Sequence, residues 1–573
     1  MPDSSIGFGS ADWLEFVLAT LFLLSAFLWT PALRRRVAAL AQRTIPVMAL
    51  LFLTPILLRL LLLPNHPVPV ANVYDEFSHL LVASTLLHGR FANPPHALSQ
   101  FFETFFVLQH PTYSSIYPPG QGMILALGLA VSGTPWTGVL LASGALCACS
   151  FWMLRGYVEP TWALLGGLLA IARFGPLNLW MNCYWGGALP AAAGCFVFGS
   201  LPRLHYAWSR GLPPRKRDAA LLGIGFGFHL LTRPFESVLL AMSVLLLAAI
   251  VLQRSMFSKP VLNGALWSFF AVSPALILLA LQNKQVTGSW TTLPEQLSQF
   301  QYGVPTTLTV ELPAVPHIDL TPQQALDFRA QTLMHGPGTD SLKRFFLRLE
   351  YRIRDYRFFF QPPLYLAAVA FLFALRSKVY LWIAATLAIF ACGTNLFPYL
   401  LVHYLAAVTS LFLLVSIAGL QQLARLRVRD AAVGPDIVRV LVLLSLAPFL
   451  LWYGIHLFEG LGAPLALLQY ETWDFIPHRN VNSNADRRTT VANRIANLRG
   501  KLLVFVHYAP QHPFQEEWVW NAADIDKARV VFARDLGAAE NEELLRFYPD
   551  RKAFWLEPDH PLPLLEPLAT APK

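Results

Sequence analysis

Asp75 and Glu76 stand side by side in "VYDEFSHLLVAS", directly after an apolar run of membrane length. Only 13% of the residues in this chain are charged, so two adjacent carboxylates at that point call for an explanation. A carboxylate held at the water–lipid boundary can take a proton from an incoming hydroxyl or amine, which is general-base chemistry. Two adjacent acids also leave a divalent cation open, although adjacency alone specifies no coordination geometry. The same loop adds His79, His88, Arg90, His96, Glu103, His110, Tyr113 and Tyr117. Its histidines show neither HxH nor HxxxH spacing, which argues against a zinc site. A purely structural use of the acids exists as well. "EFSHLLVASTLLHG" carries apolar residues at helical spacing, and an acid at the start of such a helix caps its first turn and suits its dipole.

The elements that must hold these residues are membrane spans. The chain has 573 residues, 55% of them hydrophobic, with a mean hydropathy of +0.47. Membrane-length apolar runs recur along most of it, so the fold class is a polytopic α-helical membrane protein. The net charge of +9 does not indicate nucleic acid, because Lys and Arg fall in short clusters between apolar runs rather than on one soluble face. Cys147, Cys149, Cys195 and Cys392 lie inside apolar runs and Cys183 lies near the end of one. With no CxxC pair they read as small core residues. The N-terminus has no basic region followed by a cleavage site, so no cleaved signal peptide is expected.

Charge sets the topology. The first apolar run covers Trp13–Trp29 and the second Pro46–Leu63, with Arg34, Arg35, Arg36 and Arg43 between them. Positive clusters stay in the cytoplasm, so the N-terminus and the loop bearing Asp75 face outward. Four apolar runs then precede the basic segment Arg203 to Arg217, where an odd number is needed. "GQGMILALGLAVS" (Gly120–Ser132) is the shortest of them and is expected to lie on the outer face as an interfacial helix. The remaining runs give about twelve crossings, with both termini outside. Residues 1–457 form the membrane domain, with outer loops at 64–134 and 282–361. Residues 458–573 alternate apolar stretches such as "KLLVFVHY" and "ARVVFARDL" around a polar region, and read as a small extracytoplasmic α/β domain.

A span, an outward loop opening with "YDE", an aromatic-rich loop ending in "YPPGQG", an interfacial helix and further spans together resemble the GT-C glycosyltransferases. The arrangement most resembles the branch holding the protein O-mannosyltransferases and the lipid A aminoarabinose transferase. The resemblance covers roughly Pro46 to Leu281. The chain departs from the pattern in an extra span before the loop. The resemblance implies a GT-C-like bundle that takes a sugar from a polyprenyl-phosphate carrier and hands it to a lipid, glycan or protein acceptor at the outer membrane face. It implies no cofactor beyond the cation left open above. Asp75 matches the catalytic acid, with Glu76 beside it, and Tyr117 and His110 fall in the substrate-binding loop.

Such a donor carries an anionic phosphate that needs outward cations. "KRFFLRLEYRIRDYRFFF" supplies Arg344, Arg348 and Arg352 at helical spacing along one face. The same helix would otherwise serve as a juxtamembrane segment binding lipid headgroups. Arg233 in "LLTRPFES" would either pair with Glu236 or reach the phosphate, and the resemblance favours phosphate. "NLWMNCYWGG" offers Trp180 and Trp185, which suit an interfacial aromatic belt, with a sugar-stacking role as the alternative, and His403 reads as a packing residue. A nucleotide-sugar donor is disfavoured because every cytoplasmic loop is short. A bacterial inner or plasma membrane is the expected location. The rival class is a lipid or solute transporter, which predicts an internal repeat that the sequence lacks. A non-catalytic scaffold is the third reading.

Overall fold

The computed structural model describes residues 30–249, 257–458 and 485–568, with four positions before residue 25. The apolar run Trp13–Trp29 and the basic residue Arg254 fall outside the described residues. The chain runs through α1 (Pro31–Gln42), α2 (Thr44–Leu61) and then α3 (Tyr74–Leu87), which carries the two acids. A two-stranded hairpin, β1 (Val107–Leu108) with β2 (Ser114–Ser115), precedes α4 (Pro119–Ser132). Next come α5 (Trp136–Leu154), α6 (Pro160–Phe174), α7 (Ala188–Trp208), α8 (Lys216–Leu230), α9 (Pro234–Leu247) and α10 (Lys259–Thr287). The second long loop folds into α11 (Pro294–Tyr302), α12 (Pro322–His335) and α13 (Leu342–Ile353). The bundle closes with α14 (Lys378–Thr394), α15 (Thr409–Leu423) and α16 (Gly434–Phe458).

Among the described residues five helical stretches are long and apolar enough to cross a membrane, or six if the bent pair Leu342–Phe359 and Pro362–Arg376 counts as one. That is fewer than the twelve crossings expected from hydropathy. Several apolar runs are shorter than the roughly 20 residues of a straight span: α4 has 14 residues and α6 has 15, each opened by proline and closed by glycine, and α14 has 17. The run expected to be interfacial is one of these. Pro119 starts α4 and Gly133, in the left-handed region at φ 75°, stops it. The main core lies where α5, α6, α7 and α15 meet, and α15 is buried along nearly its whole length.

The tail holds the α/β unit that its alternating pattern predicts. After α17 (Ala485–Asn497) come β3 (Leu502–Val506), β4 (Val530–Arg534), α18 (Ala538–Phe547), β5 (Lys552–Glu557) and β6 (Leu564–Pro567). The sheet order is β4-β3-β5-β6, with β3 parallel to both neighbours and β6 antiparallel to β5. Central β3 is buried at all five positions, as a continuous "LLVFV" run in a covered parallel sheet should be. Leu502, Val504 and Val506 pack on Val491 and Ile495 of α17. Leu503 and Phe505 face the other way, onto Leu544 of α18 and onto Leu81, Phe101 and Phe102 of the first outer loop. The tail is therefore docked on the loop that carries the acids. Arg90 bonds Asp524 at 2.7 Å, Tyr113 Oη donates to the Asn521 carbonyl at 2.8 Å, and Trp520 Nε1 donates to the Phe77 carbonyl at 3.0 Å.

Candidate active site

The adjacent acids point to different tasks because a helix turns about 100° per residue. Glu76 is 1% exposed and spends both oxygens on backbone. Its Oε2 accepts from the amides of Asn72 at 2.9 Å and Val73 at 3.3 Å, and its Oε1 from the amide of Tyr184 at 2.9 Å. Glu76, not Asp75, is thus the acid that caps α3, and it ties the helix start to the loop after α6. Asp75 is left to face a cavity. Tyr117 Oη donates to Asp75 Oδ1, and Trp185 is a second side-chain donor to the same carboxylate. Burial pushes the Asp75 carboxyl up to about 6, against the pull of those two donors and the Arg233 charge.

Two backbone features bring these partners together. The Gly120 amide donates to the Leu231 carbonyl at 2.7 Å, and a Cβ on Gly120 would sit 2.7 Å from that oxygen. Only glycine lets the "YPPGQG" segment approach the α8–α9 turn so closely. Tyr117 and Arg233 thereby share one wall. Trp185 is followed by Gly186 at φ 102° and Gly187 at φ 121°, which turn the chain back into α7. Behind Tyr117 lies His79, its ring stacked at 4.2 Å. Neither His79 nitrogen has a hydrogen-bond partner, and burial pushes its pKa down to about 3, so the imidazole is a neutral backing plate.

Arg233 occupies the N-cap position of α9, directly before Pro234. Its guanidinium lies 5.1 Å from the centre of the Tyr404 ring. Among the described residues it makes no salt bridge, and Glu236 on the same helix turn does not pair with it. The second outer loop closes the far side with Glu295 of α11 and Asp327 of α12, and the tail contributes Phe514 and Gln515. Together these elements enclose about 490 Å³. Asp327 is 2% exposed and its two oxygens accept from Gln331 Nε2 at 3.0 Å each. Burial raises its carboxyl to about 7, and the negative charge of Asp75 adds to the rise.

The cavity gathers Asp75, Tyr117, Arg233, Glu236, Trp185 and His403 from the residues singled out in the sequence. The remaining candidates lie elsewhere. Glu76 is consumed by backbone. His110 lies on an exposed turn, its Nε2 3.0 Å from Ser99 Oγ. The arginine helix is also placed elsewhere. Arg348 pairs with Asp340 at 2.5 Å and donates to the Asn395 carbonyl at 3.0 Å. Arg352 is buried and donates to the carbonyls of Thr394 at 3.2 Å and Phe397 at 2.8 Å, which end α14. Arg344 is exposed beside the Gly336 turn. Two of these three cations therefore hold the loop to the bundle. Asp327 and Tyr404 carried no signal in the sequence: one sits in the unremarkable helix "PQQALDFRAQ", the other among apolar residues. Trp185 was legible as an interfacial aromatic, with sugar stacking as the alternative. No group of three or more His, Cys, Asp or Glu suited to a metal ion occurs among the described residues.

No family model and no curated protein matches the chain. Solved structures do. ArnT from Cupriavidus metallidurans in the apo state is similar over 89% of this chain and 92% of its own, at 14% identity and a TM-score of 0.47. The same protein bound to undecaprenyl phosphate gives 13% identity and a TM-score of 0.46 over the same shares. The Archaeoglobus fulgidus oligosaccharyltransferase tethered to an acceptor peptide is similar over 88% of this chain and 68% of its own, at 11% identity and a TM-score of 0.42.

Proposed function

We propose that this chain is an integral membrane glycosyltransferase that moves a sugar from a polyprenyl-phosphate donor to a lipid, glycan or protein acceptor at the outer membrane face. The observation that carries the reading is the pairing, in one cavity, of a buried carboxylate held by Tyr117 and Trp185 with an arginine that makes no salt bridge among the described residues. In the proposed step Asp75 takes the proton of the acceptor's hydroxyl or amine as its oxygen or nitrogen bonds to the anomeric carbon. The bond from that carbon to the donor phosphate breaks, and the phosphate leaves with the electron pair. Arg233 stabilises the charge that remains on the phosphate, a role suited to a guanidinium in a site with little water. A single displacement inverts the anomeric configuration.

A carboxyl whose pKa lies near 6 is ionised at neutral pH, yet basic enough to accept a proton in the transition state. The orientation of the cavity toward the outside rests on the basic segments between the apolar runs. The test is transfer of radiolabelled sugar from purified polyprenyl-phosphate sugars into cell-envelope fractions, with wild type and Asp75→Asn. Label that appears with wild type and disappears with the variant, while donor binding persists, supports the reading. Equal transfer by both proteins removes Asp75 from the chemistry. No transfer, together with movement of the lipid across sealed vesicles, supports the transporter instead.

A further inference from the structure

The cavity holds more unsatisfied polarity than the proposed displacement uses. Glu236 lines it, is 3% exposed, and leaves Oε1 without a hydrogen-bond partner. Arg233 lies on the same turn and, among the described residues, is also without a salt bridge. A buried carboxylate one turn from a guanidinium would normally pair with it, since leaving either charge unpaired is costly. Both instead line the cavity. Asp327 stands on the loop side, where both its oxygens accept from Gln331 Nε2. A carboxylate or carboxyl with spare lone pairs is the natural acceptor for sugar hydroxyls.

Resting on the donor reading above, we infer that Arg233, Glu236 and Asp327 form a two-pole subsite, in which Arg233 takes the carrier phosphate and Glu236 and Asp327 take hydroxyls of the attached sugar. Arg233 alone grips any polyprenyl phosphate. The two acids decide which sugar on it is accepted. Separate hydroxyls of one sugar satisfy Glu236 Oε1 at one wall of the cavity and the free lone pairs of Asp327 at the other. A bare carrier leaves both as they are. Discrimination follows, because a site built to bond a hydroxyl rejects a ligand lacking it. The geometry also gives the second outer loop a role in recognition, through α12.

The experiment measures binding to full-length protein in lipid nanodiscs, using undecaprenyl phosphate, undecaprenyl-phosphate pentose and undecaprenyl-phosphate hexose as probes. Wild type, Glu236→Gln, Asp327→Asn and Arg233→Gln are compared, each checked for an unchanged elution volume and thermal midpoint. The acid variants are expected to bind the preferred sugar-carrier at least tenfold more weakly and the bare carrier within twofold of wild type. Arg233→Gln is expected to weaken both probes alike. Equal weakening of both probes by Glu236→Gln and Asp327→Asn, or no change in either, overturns the subsite while leaving the donor reading intact. A wild type that binds none of the probes removes the donor reading first, and the subsite with it.

Discussion

Two basic regions of this molecule differ more in what their charges touch than in how many they hold. The helix Leu342–Ile353 concentrates arginines, and Arg348 and Arg352 are spent on Asp340 and on the carbonyls that end α14. The turn at Arg233 offers one arginine, which lies over the Tyr404 ring and makes no salt bridge among the described residues. Charge density marked the first region in the sequence. The structure marks the second, because a cation becomes available to a ligand only when the fold leaves it unpaired. A guanidinium already bonded to carbonyls would have to break those bonds to hold a phosphate, at about 1 kcal/mol or more for each bond.

The largest expected effect lies at the carboxylate opposite that arginine. Asp75→Asn should reduce transfer by about 10²–10⁴-fold, measured as kcat/KM with a lipid-linked donor, because it removes a general base and leaves the shape unchanged. Arg233→Gln should follow, at about 10²–10³-fold in kcat/KM, since the loss falls on developing charge. Comparable losses from Arg348→Gln or Arg352→Gln, in protein that remains folded, would erase the contrast between the two regions.

Below these come effects on stability. Arg352→Ala removes a buried donor to two carbonyls and should cost about 1–3 kcal/mol, seen as a lower thermal midpoint in detergent. Glu76→Gln should behave similarly, because the amide cannot accept from all three backbone N–H groups that Glu76 now satisfies.

The pH dependence is smaller and carries a sign. Burial raises the Asp75 carboxyl from an ordinary 3.8 to about 6, so the folded protein holds this proton more tightly than the unfolded chain does. Its contribution to stability is full below the ordinary value and is lost as pH rises through about 6. Asp75→Asn, which stays neutral, should therefore gain on wild type in thermal midpoint between pH 4 and pH 7. Over the same range kcat/KM of wild type should rise and level off above about 6, as the base ionises. The smallest effect is expected of Arg344→Ala, within about 0.5 kcal/mol in stability and without change in transfer, as befits an exposed side chain.

Much of the architecture was legible because it rests on local periodicity. Membrane-length runs, the helix that begins at "YDE", the α/β pattern of the tail and the amphipathic arginine helix all follow from spacing along a few turns. The number of straight spans among the described residues was less legible. Hydropathy sees apolar length, while the Pro and Gly that bound α4 and α6 decide whether a run is long enough to span.

The sequence by itself determined that two acids sit at the head of a short helix after a span, and that an arginine precedes the proline that starts α9. It could not determine which acid faces the cavity. That was decided by Tyr184, 108 positions away, whose amide claims Glu76. It could not show that Arg352 is occupied, because the carbonyls it holds lie on another helix. Nor could it bring Asp327 and Glu236 into view of Asp75, since they come from separate segments of the chain. Helical spacing fixes which side chains share a face. Whether a charge on that face is satisfied depends on partners delivered from distant parts of the chain, and only the tertiary structure delivers them.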